Sequence, residues 1–334
     1  MSGAVWAALA GIGFGVFQTL NRRTLRGVDV FRSTFVQLLL ATAVLAAVAA
    51  STENLGLLGR ASAWALLNFA LAGVVHFLVG WTLLATSQQR IGASRTSPLV
   101  ATTPLFGALL AFVTLGESPS GVALAGMSLM VAGVYTVGGE RAAGRSSPAP
   151  AVAGAALAGT GGALGPASGP GRAALGPEPW SPGRRWGKAL LAAAPGLGAA
   201  LSWSVSPVFI RAGLRELPSP LLGVTFSMVV ATAAYGAVVL LRRSAGLVGG
   251  WLARGERGFK LAAGVLVGLS TWFRWIALER TTVAVVLALS LLAVPTVMVL
   301  APPLLGRHLE VVTPKLWAGA GLIVAGALLL ILRP

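Results

Sequence analysis

The stretch 104–133, PLFGALLAFVTLGESPSGVALAGMSLMVAG, decides the fold, because a diverged copy of it follows at 295–326, PTVMVLAPPLLGRHLEVVTPKLWAGAGLIVAG. Both copies carry an early proline, a glutamate and two glycines in the helix that follows. The matched pairs are Pro104 with Pro295, Glu117 with Glu310, Gly126 with Gly319 and Gly133 with Gly326. The last three pairs share one constant offset of 193. Unrelated apolar helices would rarely agree in this way, so the stretch predicts an internal duplication.

The composition independently predicts an integral membrane protein. Of 334 residues, 56% are hydrophobic and 10% are charged, and the mean hydropathy is +0.83. A water-soluble fold would have to expose too much of this apolar surface. The 25 lysines and arginines outnumber the nine acidic residues, but they lie mostly in loops between apolar runs, where anionic lipid headgroups are their expected neighbours. We therefore expect a lipid bilayer as a partner and no nucleic acid.

The content of cysteine and histidine limits the chemistry. The chain has no cysteine and two histidines, which excludes disulfides, thiolate nucleophiles and the haem or di-metal clusters of membrane oxidoreductases. We expect no cofactor, no metal site and no catalytic residues.

Ten apolar runs are long enough to cross a bilayer core of about 30 Å. They cover 3–20, 30–50, 62–84, 92–115, 119–138, 188–210, 219–241, 259–278, 281–305 and 312–332. Because each half holds five, an odd number, the second copy must enter the membrane from the opposite side. The predicted fold is an all-α integral membrane protein of ten transmembrane helices, arranged as two inverted five-helix repeats. The repeats occupy 1–138 and 188–334, and the Gly/Pro/Ala-rich segment 139–187 is predicted to be a flexible linker.

Local signals predict helix starts and helix packing. A capping hydroxyl precedes a proline at the first helical position in three places, Ser118–Pro119, Ser219–Pro220 and Thr313–Pro314. Glycines four residues apart, Gly11 with Gly15 and Gly264 with Gly268, predict close contacts between helices.

In its ten spans, its five-helix repeats and its proline, glutamate and glycine pattern, the chain resembles the EamA-type members of the drug/metabolite transporter superfamily. The resemblance implies transport of small metabolites, amino acids or drugs through a central cavity between the repeats. It also implies a multi-pass protein of the cell membrane, and we expect a bacterial inner membrane. Many relatives carry an arginine early in the second span of each half, where this chain has Gln37 and Ser227. Arg32, at the mouth of the second span, is the nearest replacement.

Two ionisable residues lie inside predicted spans and are candidates because charge within a membrane is costly. His76 is midway along the third span and is either a proton relay or a neutral imidazole hydrogen-bonded between helices. Arg274 lies between Trp272 and Trp275 in the eighth span. Its guanidinium either binds a carboxylate or phosphate of the substrate or extends to the membrane surface from near the helix end.

Further candidates for the substrate pathway are polar or aromatic residues inside spans, each of which alone is more often a contact between helices. They are Gln18, Asn21, Gln37, Asn68, Thr102, Ser202, Trp203, Ser206, Ser270 and Trp272. None of the acidic residues lies centrally in a span, so no buried carboxylate is available for proton coupling. We expect Glu117 and Glu310 to stabilise the N-termini of the helices that follow them rather than to gate the pathway.

The predicted function is transport of a small organic metabolite by an exporter or exchanger. No GxxxxGK[ST] phosphate loop is present, which argues against an ATP-driven pump. The alternatives are an integral membrane enzyme acting on lipid, against which stands the lack of clustered His, Asp or Cys residues, and a non-transporting membrane scaffold. The predicted partners are a small-molecule substrate and the bilayer, and a homodimer is left open.

The loop charges predict an orientation. Without the linker, the loops with odd numbers from the N-terminus hold thirteen lysines and arginines: Arg22, Arg23, Arg26, Arg32, Arg90, Arg95, Arg242, Arg243, Arg254, Arg257, Lys260, Arg307 and Lys315. Even-numbered loops hold four: Arg60, Arg211, Arg215 and Arg280. Because basic residues accumulate in cytoplasmic loops, the count predicts that both termini lie outside and that the linker is cytoplasmic. The family resemblance favours cytoplasmic termini instead.

Overall fold

The computed structural model describes residues 2–25, 27–115, 120–143, 182–244, 254–306 and 310–331, and all regular structure in these ranges is helical. The first half contains α1 (Gly3–Thr24), α2 (Val30–Thr52), the short α3 (Gly56–Arg60), α4 (Ala63–Ala72), a π-helical segment (Gly73–Gly80), α5 (Trp81–Ile91), α6 (Ala93–Val100), α7 (Thr103–Leu115) and α8 (Gly121–Ala143). The second half contains α9 (Pro182–Glu216), α10 (Pro220–Ser244), a 3₁₀ turn (Arg254–Glu256), α11 (Arg257–Arg280), α12 (Val283–Ser290), α13 (Ala293–Leu305) and α14 (Pro314–Ile331).

Each predicted span overlaps a helix or a helix pair in the described residues. Seven stretches are long and apolar enough to cross a membrane: Gly3–Thr24, Val30–Thr52, Ala63–Ile91, Leu190–Glu216, Pro220–Arg243, Arg257–Arg280 and Val285–Leu305. Two shorter apolar helices lie at Gly121–Val137 and Pro314–Leu329. The remaining predicted span, 92–115, consists of α6 and α7. The third span, α4 through α5, runs to Ile91 and so extends beyond its predicted end at residue 84.

The fourth span of each half is broken at an equivalent place. A turn at residues 101–102 separates α6 from α7, and a turn 190 residues later, at 291–292, separates α12 from α13. Pro104 and Pro295 both lie in the first turn after the break. Proline suits this position because the first residues of a helix have no helical partner for their N–H groups. The prolines that open the duplicated stretch therefore mark restarted helices.

Contacts between the halves are reciprocal. The first helix of each half packs against the third span of the other half: α1 contacts α11, and α9 contacts α4, the π-helical segment and α5. The second helices, α2 and α10, pack against each other, and so do the last helices, α8 and α14. The first helix of each half also contacts the broken fourth span of the other half. Equivalent elements of the two copies therefore have equivalent neighbours.

Glycines allow the backbones of α8 and α14 to approach closely. A Cβ atom added at Gly133 would lie 2.6 Å from the carbonyl oxygen of Gly319, and one added at Gly326 would collide with the carbonyl oxygen of Gly126. The glycines of the duplicated stretch thus form one contact between the last helices of the two halves.

The structure confirms two predicted helix starts and corrects a third. Ser219 and Thr313 accept hydrogen bonds from the backbone N–H groups of Leu222 (3.2 Å) and Leu316 (3.1 Å), before helices that begin at Pro220 and Pro314. The predicted cap Ser118–Pro119 is wrong, because α8 begins at Gly121 and Ser120 accepts from the N–H of Ala123 at 3.3 Å.

The linker prediction also needs correction at its ends. α8 continues to Ala143 and α9 begins at Pro182, so the described ends of 139–187 are helical. The remainder, 144–181, lies outside the described residues, as does Glu117.

We predict that Gly326→Ala lowers the free energy of unfolding by about 1–3 kcal/mol, because the new methyl group meets backbone atoms of α8 that cannot move aside easily. Met130, whose backbone nitrogen would lie 3.0 Å from that methyl carbon, is one of them. Gly321→Ala is the matched control on the same helix, because a Cβ there has no neighbour within 4 Å. Unfolding in detergent, followed by tryptophan fluorescence, measures the difference. Equal stability of the two variants would contradict the proposed contact.

Candidate functional site

A cavity lies between the two halves and is walled by both. It contains about 710 Å³ of space free of protein atoms, counting its open part. Its polar lining consists of Gln18, His76, Ser97, Thr103, Ser270, Thr271, Arg274 and Ser290, and its aromatic lining of Phe14 and Trp203. Apart from Arg274, none of these residues carries a permanent charge. In the described part of the chain, no three His, Cys, Asp or Glu side chains are grouped so that they could hold a metal ion.

His76 belongs to the π-helical segment and is fixed by α9. Its Nδ1 lies 2.8 Å from the hydroxyl oxygen of Ser206, and its ring stacks on Trp203 with 5.5 Å between ring centroids. The indole N–H of Trp203 donates to the carbonyl oxygen of His76 at 3.1 Å. Gly80, at the end of the segment, leaves room for the Trp203 indole, because a Cβ there would collide with it. π-Helical segments occur frequently at functional sites.

Arg274 faces the cavity from α11. Its Nη1 donates to the hydroxyl of Ser290 at 3.2 Å, whereas its Nε and Nη2 are buried without a hydrogen-bond partner among the described residues. The guanidinium is therefore directed into the protein at the junction with α12 and not along its helix toward the end at Arg280. Two donors of a fixed, planar group remain available beside the cavity.

A chain of hydrogen bonds joins a buried lysine to the cavity. Lys260 is 2% exposed, and its ammonium donates to the Oδ1 of Asn21 at 3.1 Å and to the hydroxyl of Ser33 at 2.9 Å. The Nδ2 of Asn21 donates to the Oε1 of Gln88 at 2.9 Å, and the Nε2 of Gln88 donates to the backbone carbonyl of Gln18 at 3.2 Å. The chain thus ends at a residue of the cavity wall.

Five of the twelve candidate pathway residues line this cavity: Gln18, His76, Trp203, Ser270 and Arg274. Pro104, from the repeated stretch, lines it too, whereas Pro295 is exposed. The other seven candidates are not part of its wall: Asn21, Gln37, Asn68, Thr102, Ser202, Ser206 and Trp272.

Four of the candidates outside the cavity wall have the following surroundings. Asn68 donates to the carbonyl of Trp64 in its own helix at 2.9 Å, and Trp272 packs against Phe273 with 6.1 Å between ring centroids. Gln37 is buried, and no hydrogen-bond partner of its amide atoms lies among the described residues. Ser202 is also buried.

Sequence reasoning missed two kinds of residue. Phe14 lines the cavity together with Ala10, Gly11 and Gln18, and their spacing of three or four residues places them on one face of α1, a signal that the sequence does contain. Lys260 was assigned to a loop but lies buried in the first turn of α11. Its partners Asn21 and Ser33 are more than 220 residues away in the chain, so local sequence carries no trace of this contact.

Glu310 stabilises a helix other than the expected one. Its carboxylate accepts from the backbone N–H groups of Ala93 (3.0 Å) and Ser94 (3.2 Å), at the N-terminus of α6, and pairs with Arg22 at 3.2 Å. The residue before α6, Gly92, has φ +87, and a Cβ there would lie 2.7 Å from the carboxylate oxygens. The expectation that Glu310 caps the following helix is thus wrong, since it caps a cavity-lining helix of the other half.

The described architecture is that of a helical multi-pass membrane protein with a cavity between two similar halves. A family model described as the EamA-like transporter family matches residues 1–139 and 188–332. The chain belongs to this family, which is part of the drug/metabolite transporter superfamily. In fold it is similar to a protein of known crystal structure, with a TM-score of 0.60 and 17% sequence identity over 98% of each chain. No curated protein matches it in sequence.

We predict that Glu310→Gln lowers the free energy of unfolding by about 1–3 kcal/mol, because α6 loses a buried, charged cap and the partly exposed Arg22 loses its counter-charge. Glu279→Gln is the control, since the Glu279–Arg280 pair is 3.8 Å long and largely exposed, and we expect it to cost less than about 1 kcal/mol. Chemical unfolding in detergent tests both. Similar losses for the two variants would contradict the role of Glu310.

Proposed function

We propose that the protein transports small organic metabolites across the cell membrane by alternating access, as an exporter or exchanger. The observation that carries the proposal is the position of the cavity between the two halves, with walls from α1, α6 and α7 on one side and α9, α11, α12 and α13 on the other. A rocking of one half against the other would open such a cavity to either side in turn.

We also propose that the protein crosses the membrane ten times, as two inverted five-helix repeats. The support is the equivalent break in both fourth spans and the reciprocal packing of the halves. An odd number of spans per repeat places the second repeat upside down relative to the first. We further propose a bacterial inner membrane as the location and leave a homodimer as a hypothesis.

The alternatives have less support. An enzyme acting on lipid needs a nucleophile activated by a base, or an acid–base pair, close to its substrate. In the described cavity wall no carboxylate accompanies His76, and the Nδ1 of His76 lies beside Ser206, which is not part of the wall. A scaffold has no need of a cavity between its halves with Arg274, Gln18 and His76 in the wall. Members of the EamA family are transporters.

Reconstitution into liposomes tests the function. We expect the protein to carry at least one compound from a panel of labelled amino acids, organic acids, amines and drugs, with flux that saturates with concentration and exceeds that of protein-free vesicles. Lipid turnover is measured on the same vesicles. Turnover of lipid without flux of any solute would contradict the transport proposal.

Orientation is a separate proposal that follows the loop charges: both termini outside and the linker in the cytoplasm. Lys260 is buried and no longer counts as a loop residue. Without it, the odd-numbered loops still hold more basic residues than the even-numbered loops. The positive charge of cytoplasmic loops is the physical basis.

A single introduced cysteine tests the orientation, because the chain has none of its own. Ser168→Cys places a thiol in the linker. We expect it to be protected from a membrane-impermeant maleimide in intact cells and to react after permeabilisation. Ready labelling of intact cells would reverse the assignment.

A further inference from the structure

Among the cavity side chains, the fully buried polar atoms that lack a partner in the described part of the chain are all able to donate. They are Nε and Nη2 of Arg274, Nε2 of Gln18 and the hydroxyl of Ser97, all buried without a partner among the described residues. The two arginine atoms and the amide nitrogen can only donate. The described lining contains no acidic side chain that would compete for them. A ligand that satisfies these groups must supply acceptors, and the charge of Arg274 favours an anionic one.

The amide of Gln18 is oriented by Lys260 at the far end of the hydrogen-bond chain. An ammonium has only donors, so it requires the oxygen of Asn21 and leaves the Asn21 nitrogen to donate to the oxygen of Gln88. The nitrogen of Gln88 then points to Gln18, where the side-chain oxygen lies at 3.5 Å and the backbone oxygen at 3.2 Å. The nitrogen of Gln18 is thereby left without a partner. Lys260 acts as a positioning residue.

The two donor groups lie at different heights in the cavity. Arg274 bonds Ser290, whose Cα lies 3.3 Å from the ideal Cβ position of Gly11, so the guanidinium is level with Gly11 on α1. Gln18 is seven residues further along α1, about 10 Å at 1.5 Å per residue. Between them Phe14 packs edge to face against Trp203, with 5.2 Å between ring centroids. Along α1 the cavity wall therefore presents first the guanidinium of Arg274, then the aromatic rings of Phe14 and Trp203, and then the amide of Gln18.

From this arrangement we propose that the transported substrate is an organic carboxylate. Its carboxylate pairs with Arg274, its apolar or aromatic body lies against Phe14 and Trp203, and a hydrogen-bond acceptor such as a carbonyl faces Gln18. The inference rests on the proposed transport function and narrows it to a chemical class.

The same arrangement disfavours cationic substrates and those with a free ammonium group. An ammonium needs acceptors and, when buried, a counter-charge, and the described lining offers hydroxyl and amide oxygens beside an arginine. A zwitterionic amino acid is therefore expected to bind more weakly than the corresponding acid without its amino group.

Binding to a matched series tests the Arg274 end. 3-Phenylpropanoate, 3-phenylpropanamide, 3-phenylpropylamine and phenylalanine share one aromatic body and differ in charge. Titration calorimetry on the purified full-length protein is expected to give a Kd for the carboxylate about tenfold or more below that for the amide, as a charge-assisted pair implies. Arg274→Lys should remove most of this preference, because the planar fork of donors is lost although the charge remains.

A second pair of ligands tests the Gln18 end. 3-(4-Acetylphenyl)propanoate carries a far carbonyl that 3-(4-ethylphenyl)propanoate lacks, and the wild-type protein should prefer the acetyl compound. In Gln88→Glu the new carboxylate still accepts from Asn21 but loses the bond to the backbone carbonyl of Gln18, because it cannot donate. At Gln18 it can only accept from the side-chain nitrogen, so we expect the Gln18 amide to turn and to present its oxygen to the cavity. We expect the preference for the acetyl compound to vanish while the preference for carboxylate over amide remains. If the role of Gln88 were purely structural, Gln88→Glu would change both preferences together or neither of them.

Gln89→Glu is the matched control at the adjacent position. Gln89 donates to the carbonyls of Leu25 and Val28 and takes no part in the hydrogen bonds that link Lys260 to Gln18. It should leave both preferences unchanged. Equal binding of carboxylate, amide and amine by the wild-type protein, or binding of none of them, would overturn the inference.

Counterflow of the same compounds in liposomes separates this inference from the transport function. Flux of amines or neutral compounds without preference for carboxylates would overturn the proposed substrate class, whereas the proposed transport function would still hold. Tight carboxylate binding without flux of any solute would overturn the proposed transport function, whereas the carboxylate-binding site would still hold.

Discussion

A helix that breaks among apolar helices frees backbone groups that the surrounding protein must satisfy, and both halves of this chain contain such a break at the same place. Around the first break the hydroxyls of Thr102 and Thr103 donate to the carbonyls of Leu99 and Val100, both within 2.8 Å. Irregular backbone is tolerated at membrane depth only where protein or a cavity surrounds it. Here it adjoins the cavity, so the breaks determine where the cavity lies.

The position of α6 depends on the other half of the molecule. Glu310 precedes the last helix of the second half, yet it caps α6 of the first and pairs with Arg22 at the end of α1. α6 in turn supplies Ser97 and Val100 to the cavity wall. The wall of the cavity therefore depends on contacts between the two halves, because a residue of the second half holds a helix of the first half in place.

The sequence predicted those features that repeat or that follow from local chemistry. The constant offset of the glutamates and glycines predicted the duplication, and His76 and Arg274 were found because ionisable residues are rare in apolar helices. The break after Val100 was not predicted, because 92–115 is long enough to cross a membrane as one helix and the polar residues and prolines between Arg95 and Pro104 do not by themselves locate a break. The burial of Lys260 was missed as well, since its partners come from α1 and α2, and Glu310 was assigned to the nearest helix in the chain. Contacts between distant segments of the chain decided the surroundings of Lys260 and of Glu310.

The central claim is that solute passes through the cavity between the halves, and a thiol placed in its wall tests this most directly. In a Ser97→Cys variant of this cysteine-free chain, we expect a small membrane-impermeant thiol reagent to react when the cavity opens and a transported solute to slow the reaction in proportion to its occupancy. A reaction rate that does not change at saturating concentrations of a solute that the protein carries would contradict the account.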